Sequence, residues 1–92
     1  MYVRTVSGCY CNLSSCDAIA VRTLEDLNGN THYAIYAAYS NRTDYTLCIY
    51  HTGSEAQAAL DRMMELQTTK DVNFNSCYNI VTGCFIKHRC NI

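Results

Sequence analysis

The sequence predicts an α+β domain in which an antiparallel sheet of about five strands packs on one helix. Three observations lead to this prediction. Residues 54–67 have the spacing of an amphipathic helix, the segments before them alternate between apolar and polar residues, and the 92-residue length suits one domain with a small core. We expect residues 1–67 to form the core and residues 68–92 to form a cysteine-rich tail.

The helix is predicted from its capping residues and from its apolar stripe. Ser54 suits the N-cap, Gln57 stands three residues later as a capping-box partner, and Glu55 suits the positive end of the helix dipole. Apolar side chains recur at spacings of three and four, at Ala56, Ala59, Leu60 and Met63. The adjacent Met63 and Met64 cannot both face one small core, so we expect one at the surface or in a dimer interface.

The strands ahead of the helix are predicted from their alternation and from the turns between them. They cover residues 2–6, 9–13, 18–24, 32–39 and 45–51. Ser7-Gly8 turns the first strand into the second, and Asn28-Gly29 marks a loop that needs positive φ angles. Residues 77–86 alternate again around Thr82-Gly83. They predict either a second hairpin or one strand added to a sheet edge, here or in a partner subunit.

Composition excludes several classes of function. A net charge of −1 argues against non-specific binding to nucleic acid or to an anionic membrane. No apolar run approaches the ~18 residues of a membrane span, and the first residues do not resemble a signal peptide. We therefore expect a cytoplasmic protein whose seven cysteines are mostly free thiols packed in or near the core. The alternative is a disulfide in the tail, among Cys77, Cys84 and Cys90.

Cysteine and histidine are numerous enough to consider a metal site. Cys9 and Cys11 near one end of the chain could meet Cys84 and His88 near the other if the first and last strands were adjacent. Neither group contains the Cys-x2-Cys spacing of common zinc sites. No metal and no other cofactor is therefore expected, and the four residues are only an alternative.

Catalysis has no support in the residue pattern. Cys48 and His51 lie three apart on a predicted strand, so their side chains point to opposite faces. His88 lies close to Cys90, but near the end of the printed sequence, where side chains are seldom held in place. We expect no enzymatic activity.

A binding function fits this composition better than catalysis does, because the sequence contains eight tyrosines. Arg guanidinium groups and flat aromatic rings suit the hot spot of a protein interface. They also suit a nucleotide, whose phosphate and base they can bind. The candidate binding residues are Arg4, Arg22, Arg42, Tyr36, Tyr39 and Tyr50. An exposed face with an acidic loop formed by Glu25, Asp26 and Asp44 would favour a protein partner, whereas a pocket joining Arg4 or Arg22 to tyrosines across a symmetry axis would favour a nucleotide.

A family resemblance adds biological context. The residues that carry it are Arg4-Thr5, Gly8, Tyr10, Asn12-Leu13, Tyr33-Ala34-Ile35-Tyr36-Ala37, Tyr45-Thr46-Leu47, Tyr50-His51-Thr52 and Glu55-Ala56-Gln57-Ala58-Ala59-Leu60. Over residues 2–66 the chain resembles a loose group of small uncharacterised proteins from Firmicutes and their phages, a strand meander closed by one helix. The resemblance implies a bacterial or phage protein that binds and inhibits a host component.

The functional expectation is therefore a non-catalytic binding protein that forms a homo-oligomer, with a dimer favoured. Its expected partner is a protein, and inhibition of host defence is the narrower form of that expectation. The alternatives are an oligomeric sponge that sequesters a nucleotide signal and a small metal-binding protein.

Overall fold

The computed structural model describes residues 1–40, 43–69, 72–73 and 76–86. Within these ranges the chain forms seven strands, one α-helix and one short 3-10 helix, at Leu13–Ser15. The elements are β1 Tyr2–Arg4, β2 Tyr10–Asn12, β3 Ala18–Glu25, β4 Thr31–Ala38, β5 Tyr45–Tyr50, α1 Gly53–Gln67, β6 Cys77–Asn79 and β7 Cys84–Phe85. The predicted α+β class is confirmed.

The strands form two sheets, so the prediction of one antiparallel sheet is wrong. One sheet has the order β3-β4-β5 and the other has the order β2-β1-β6-β7. In the second sheet β1 pairs antiparallel with β2 and parallel with β6. In the sequence, β3, β4, β5 and α1 lie between β2 and β6. A single backbone hydrogen bond, from Val6 N–H to Leu47 O at 2.8 Å, connects this sheet region to β5.

Residues 76–86, within the segment predicted to be a tail, contribute to the core. β6 and β7 form the predicted second hairpin, and β6 also lies beside β1, so this segment is at once a hairpin and an added strand. Tyr78 and Ile80 are buried in the same cluster as Val3, Ile35 and Leu47. A division between a core and a separate tail therefore does not describe the packing.

The helix α1 packs on all three strands of the β3-β4-β5 sheet. Its N-cap is Thr52 rather than the predicted Ser54: the Thr52 hydroxyl accepts the Glu55 N–H at 3.2 Å and donates to Glu55 Oε1 at 2.8 Å. Thr52 and Glu55 occupy the two positions of a capping box, two residues earlier than Ser54 and Gln57 would. Met63 is fully buried whereas Met64 is 38% exposed, which confirms that only one of the two methionines faces the core.

The β3-β4-β5 sheet has a core face and an outer face. Ile35 and Ala37 of β4, and Tyr39 directly after it, are buried in the core. β3 and β4 pair without a break from Ala18↔Ala38 to Glu25↔Thr31, and a register shift between Ile35 and Tyr36 interrupts only the pairing with β5. The even-numbered residues of β3 therefore share the outer face with the even-numbered residues of β4.

Candidate functional site: the acidic β3–β4 hairpin

The hairpin loop between β3 and β4 is the best-defined polar structure on the surface. Asp26 N–H donates to Asn30 O at 2.9 Å, and Gly29 N–H donates to Asp26 O at 3.0 Å. Gly29 has φ +79°, a conformation that L side chains rarely adopt. The prediction that Asn28-Gly29 forms a turn with positive φ is therefore confirmed at Gly29.

The Asp26 side chain holds this loop in one conformation. Its Oδ1 accepts the backbone N–H groups of Asn28 and Asn30, each at 2.9 Å. Its Oδ2 lies 2.9 Å from His32 Nε2, and the His32 ring in turn lies 6.1 Å from the His51 ring, centroid to centroid. One carboxylate thus connects both arms of the hairpin and the loop between them.

These contacts favour the ionised form of the Asp26 carboxyl group. The bond with His32 is the largest cause, followed by the N–H of Asn30, and together they lower the pKa of Asp26 from 3.8 to about 2. Glu25 is exposed beside it, and residues 24–32 contain no Lys or Arg. The end of the hairpin is therefore acidic.

Acidification is expected to loosen this loop. Because the pKa of Asp26 in the folded protein, about 2, lies below the ordinary value of 3.8, the ionised carboxylate stabilises the loop above pH 3.8. That contribution is lost as the pH falls through the folded pKa. We expect the amide chemical shifts of Asn28 and Asn30 to titrate with a midpoint of about 2, and not to titrate in Asp26→Asn. A midpoint at 3.8 would contradict the hydrogen-bonded geometry.

Apolar side chains surround this acidic end. Leu27, at the tip of the loop, is fully exposed, with a relative exposure of 106%. Ile49 of β5 is 48% exposed, and it lines a shallow cavity of about 320 Å³ together with Leu24, Glu25, Asp26 and His32. The hairpin therefore presents one protruding apolar side chain and one shallow apolar depression, both bordered by carboxylates.

Arg4 and Arg22, two of the predicted binding residues, lie in different sheets. Arg22 lies on the outer face of the sheet, 4.6 Å from the centroid of the Tyr36 ring and 3.8 Å from Asp44 Oδ2. Arg4 belongs to β1, in the other sheet. Arg42 lies outside the described residues. The Arg22 side chain thus already contacts an aromatic ring and a carboxylate of its own chain.

Two of the predicted binding tyrosines have structural roles. Tyr39 is buried, its hydroxyl donates to Asn12 O at 2.9 Å, and its ring packs edge-on against Tyr45. Tyr50 is partly buried, and this burial raises the pKa of its hydroxyl. Arg22 and Tyr36, two of the six predicted binding residues, contact each other on the outer face.

The sheet order separates the alternative metal ligands. Cys11 is buried on β2 and Cys84 lies on β7, and these two strands are the opposite edges of the four-stranded sheet. His88 lies outside the described residues, within which no group of three or more potential ligands is found. Cys77 is disulfide-bonded, in agreement with the alternative of a disulfide in the tail, whereas Cys9, Cys11, Cys16, Cys48 and Cys84 are free.

The residues that could act as a nucleophile and its base lie apart. Cys48 is buried and pairs with Ile35 on the core side, whereas His51 lies beside His32 at the outer face. This agrees with the separation that strand alternation predicts for Cys48 and His51.

Comparison of the chain with protein-family models, with curated proteins and with solved structures gives no match. Among the described residues, no helix combines the length and the apolar character needed to cross a bilayer.

Proposed function

We propose that this chain is a non-catalytic protein-binding protein that recognises its partner through the acidic β3–β4 hairpin. The observation that carries the proposal is Leu27, a fully exposed apolar side chain on a loop that Asp26 holds rigid. Rigid loops bind at a lower entropic cost because little conformational freedom is lost on association. Burial of one Leu side chain contributes about 1.5–3 kcal/mol.

The chemistry of the hairpin defines the partner surface that fits it. An apolar pocket would receive Leu27, and Lys or Arg side chains around that pocket would face Glu25 and Asp26. The depression lined by Leu24 and Ile49 would accept an apolar side chain of the partner. The proposed partner is therefore a protein with an apolar pocket bordered by basic residues.

The narrower form of the proposal comes from the family resemblance. In this form, the chain is a bacterial or phage protein that inhibits a component of host defence. Catalytic turnover that depends on Cys48 or Cys84 would overturn the proposal in both forms.

The test compares Leu27→Ala with Val81→Ala, since both change an exposed aliphatic side chain in a hairpin. A protein captured from bacterial lysate by the unchanged chain is purified, and its affinity for each variant is measured by calorimetry. We expect Leu27→Ala to raise Kd by roughly tenfold to a hundredfold, and Val81→Ala to leave it unchanged. Affinity should also fall as salt is added, because the acidic residues contribute electrostatically.

Two outcomes would overturn this proposal. One is a captured protein whose affinity is the same for Leu27→Ala and for the unchanged chain. The other is that every protein captured by the unchanged chain is also captured by Leu27→Asp.

A further inference from the structure

The outer edge of β3 carries unpaired backbone groups. β3 is the last strand in the order β3-β4-β5. Because Asp26 N–H bonds to Asn30 O at the loop, the even-numbered residues of β3 direct their backbone groups towards β4. Ile19, Val21 and Thr23 therefore direct N–H and C=O groups outward, and no other described strand pairs with them.

This edge carries the charged residues Arg22 and Glu25 but lacks several other features that protect edge strands from pairing. Residues 18–25 contain no Pro and no Lys, and their register with β4 is unbroken over the whole strand. Side chains on the core side of the edge, Ile19 and Val21, are only partly buried. A regular, eight-residue strand with half-exposed β-branched residues is a template for another strand.

We infer that β3 of a second copy of this chain occupies the edge, in an antiparallel pairing with Ala20 at the two-fold axis. The two three-stranded sheets would then form one continuous six-stranded sheet. In this register Ile19 of each copy lies opposite Val21 of the other copy, on the core side of the sheet. Pairs of β-branched residues opposite each other stabilise antiparallel strands.

Charge disfavours the two symmetric registers whose axes lie nearer the loop, and an axis at Ile19 would pair only residues 18–20 of each strand. An axis at Val21 would place Asp17 opposite Glu25 of the second copy, and an axis at Arg22 would place two arginines opposite each other. Like charges directly opposite each other destabilise a strand pair. With the axis at Ala20, Arg22 lies opposite Ala18 and Thr23 lies opposite Asp17, so no like charges meet.

A cavity beside the edge supports a neighbour at this position. It has a volume of about 290 Å³ and lies between the start of β3 and the end of α1, with Asp17, Ile19, Met64 and Gln67 in its lining. Gln67 Oε1 is buried there without a hydrogen-bond partner. The inferred register brings Thr23 of the second copy, a hydroxyl donor, next to Asp17 at this cavity.

The first test is the mass of the chain by analytical ultracentrifugation, at concentrations up to the millimolar range. We expect a monomer–dimer equilibrium. Val21→Pro removes an outward N–H that β4 does not use, so the monomer should keep its far-UV circular dichroism while dimerisation weakens by about thirtyfold, since two symmetry-related hydrogen bonds are lost. Val21→Ala retains this N–H and is the matched control for the side chain, so it should weaken dimerisation less.

The second test uses the unchanged chain and does not depend on the folding of a variant. Amide exchange of Ile19 and Val21 should be slow at high concentration and fast on dilution, whereas that of Ala20 and Arg22, which bond to β4, should stay slow at both. A monomer at every concentration, equal weakening by Val21→Pro and Val21→Ala, or exchange of Val21 that is independent of concentration would each overturn the inference. None of these results depends on Leu27, so they are separate from the test of the hairpin.

Discussion

Tyr78→Ala is expected to destabilise the protein by about 3–5 kcal/mol, the usual cost of deleting a buried aromatic ring. Tyr78 is 2% exposed and packs edge-on against Phe85, with 5.4 Å between ring centroids. The loss is a large part of the about 5–15 kcal/mol that stabilises a typical domain. Urea denaturation followed by circular dichroism measures it from the shift in midpoint at constant m-value.

Val81→Ala is the matched control for Tyr78→Ala, because it lies in the same hairpin and is 61% exposed. Its effect should stay within about 0.5 kcal/mol. If Tyr78→Ala cost no more than Val81→Ala, the hairpin of β6 and β7 would not be part of the core. Complete unfolding of Tyr78→Ala would agree with the structure.

Met63→Ala is expected to cost about 2–5 kcal/mol, whereas Met64→Ala should cost less than about 0.5 kcal/mol. The two residues are adjacent and chemically identical, so helix propensity and side-chain type cancel in the comparison. Only burial differs: Met63 is fully buried under the β3-β4-β5 sheet and Met64 is 38% exposed. Calorimetric melting of both variants under the same conditions gives the difference between their losses of stability. Equal losses would contradict the observed orientation of α1, in which Met63 and not Met64 faces the core.

The features that sequence analysis predicted correctly are those with a local cause. The helix follows from its apolar stripe, and the β3–β4 hairpin follows from alternation on both sides of Asn28-Gly29. The N-cap was misplaced by two residues because Thr52 and Ser54 are both good capping residues. Thr52 has the additional advantage of Glu55 three residues later, which forms the reciprocal hydrogen bond.

The pairing of β1 with β6 has no local cause. Each strand has three residues, and the bonds between them join backbone groups, which every residue carries. Alternation indicates that Tyr78 lies on the buried face of its strand, but it does not indicate which sheet that strand joins. Prediction therefore found the hairpin of residues 77–86 and missed its neighbour.

The candidate site was predicted only in part, for a similar reason. The acidic loop with Glu25 and Asp26 was recognised, but Leu27 was passed over because one apolar residue within a polar turn is common. The rigidity of the loop depends on Asp26 meeting His32, six residues away, which requires the observed register. Predicted binding residues such as Tyr39 were instead needed for packing, since tyrosine serves both purposes equally well.

The parallel pairing of β1 with β6 also determines an order of folding. Residues 18–67 hold β3, β4, β5 and α1, which contact one another within one continuous stretch of the chain, so this part can assemble before β6 is present. β1 leaves the ribosome before all of these elements, yet its second neighbour, Cys77–Asn79, is synthesised after them. β1 therefore keeps one edge unpaired until residues 77–79 have been synthesised.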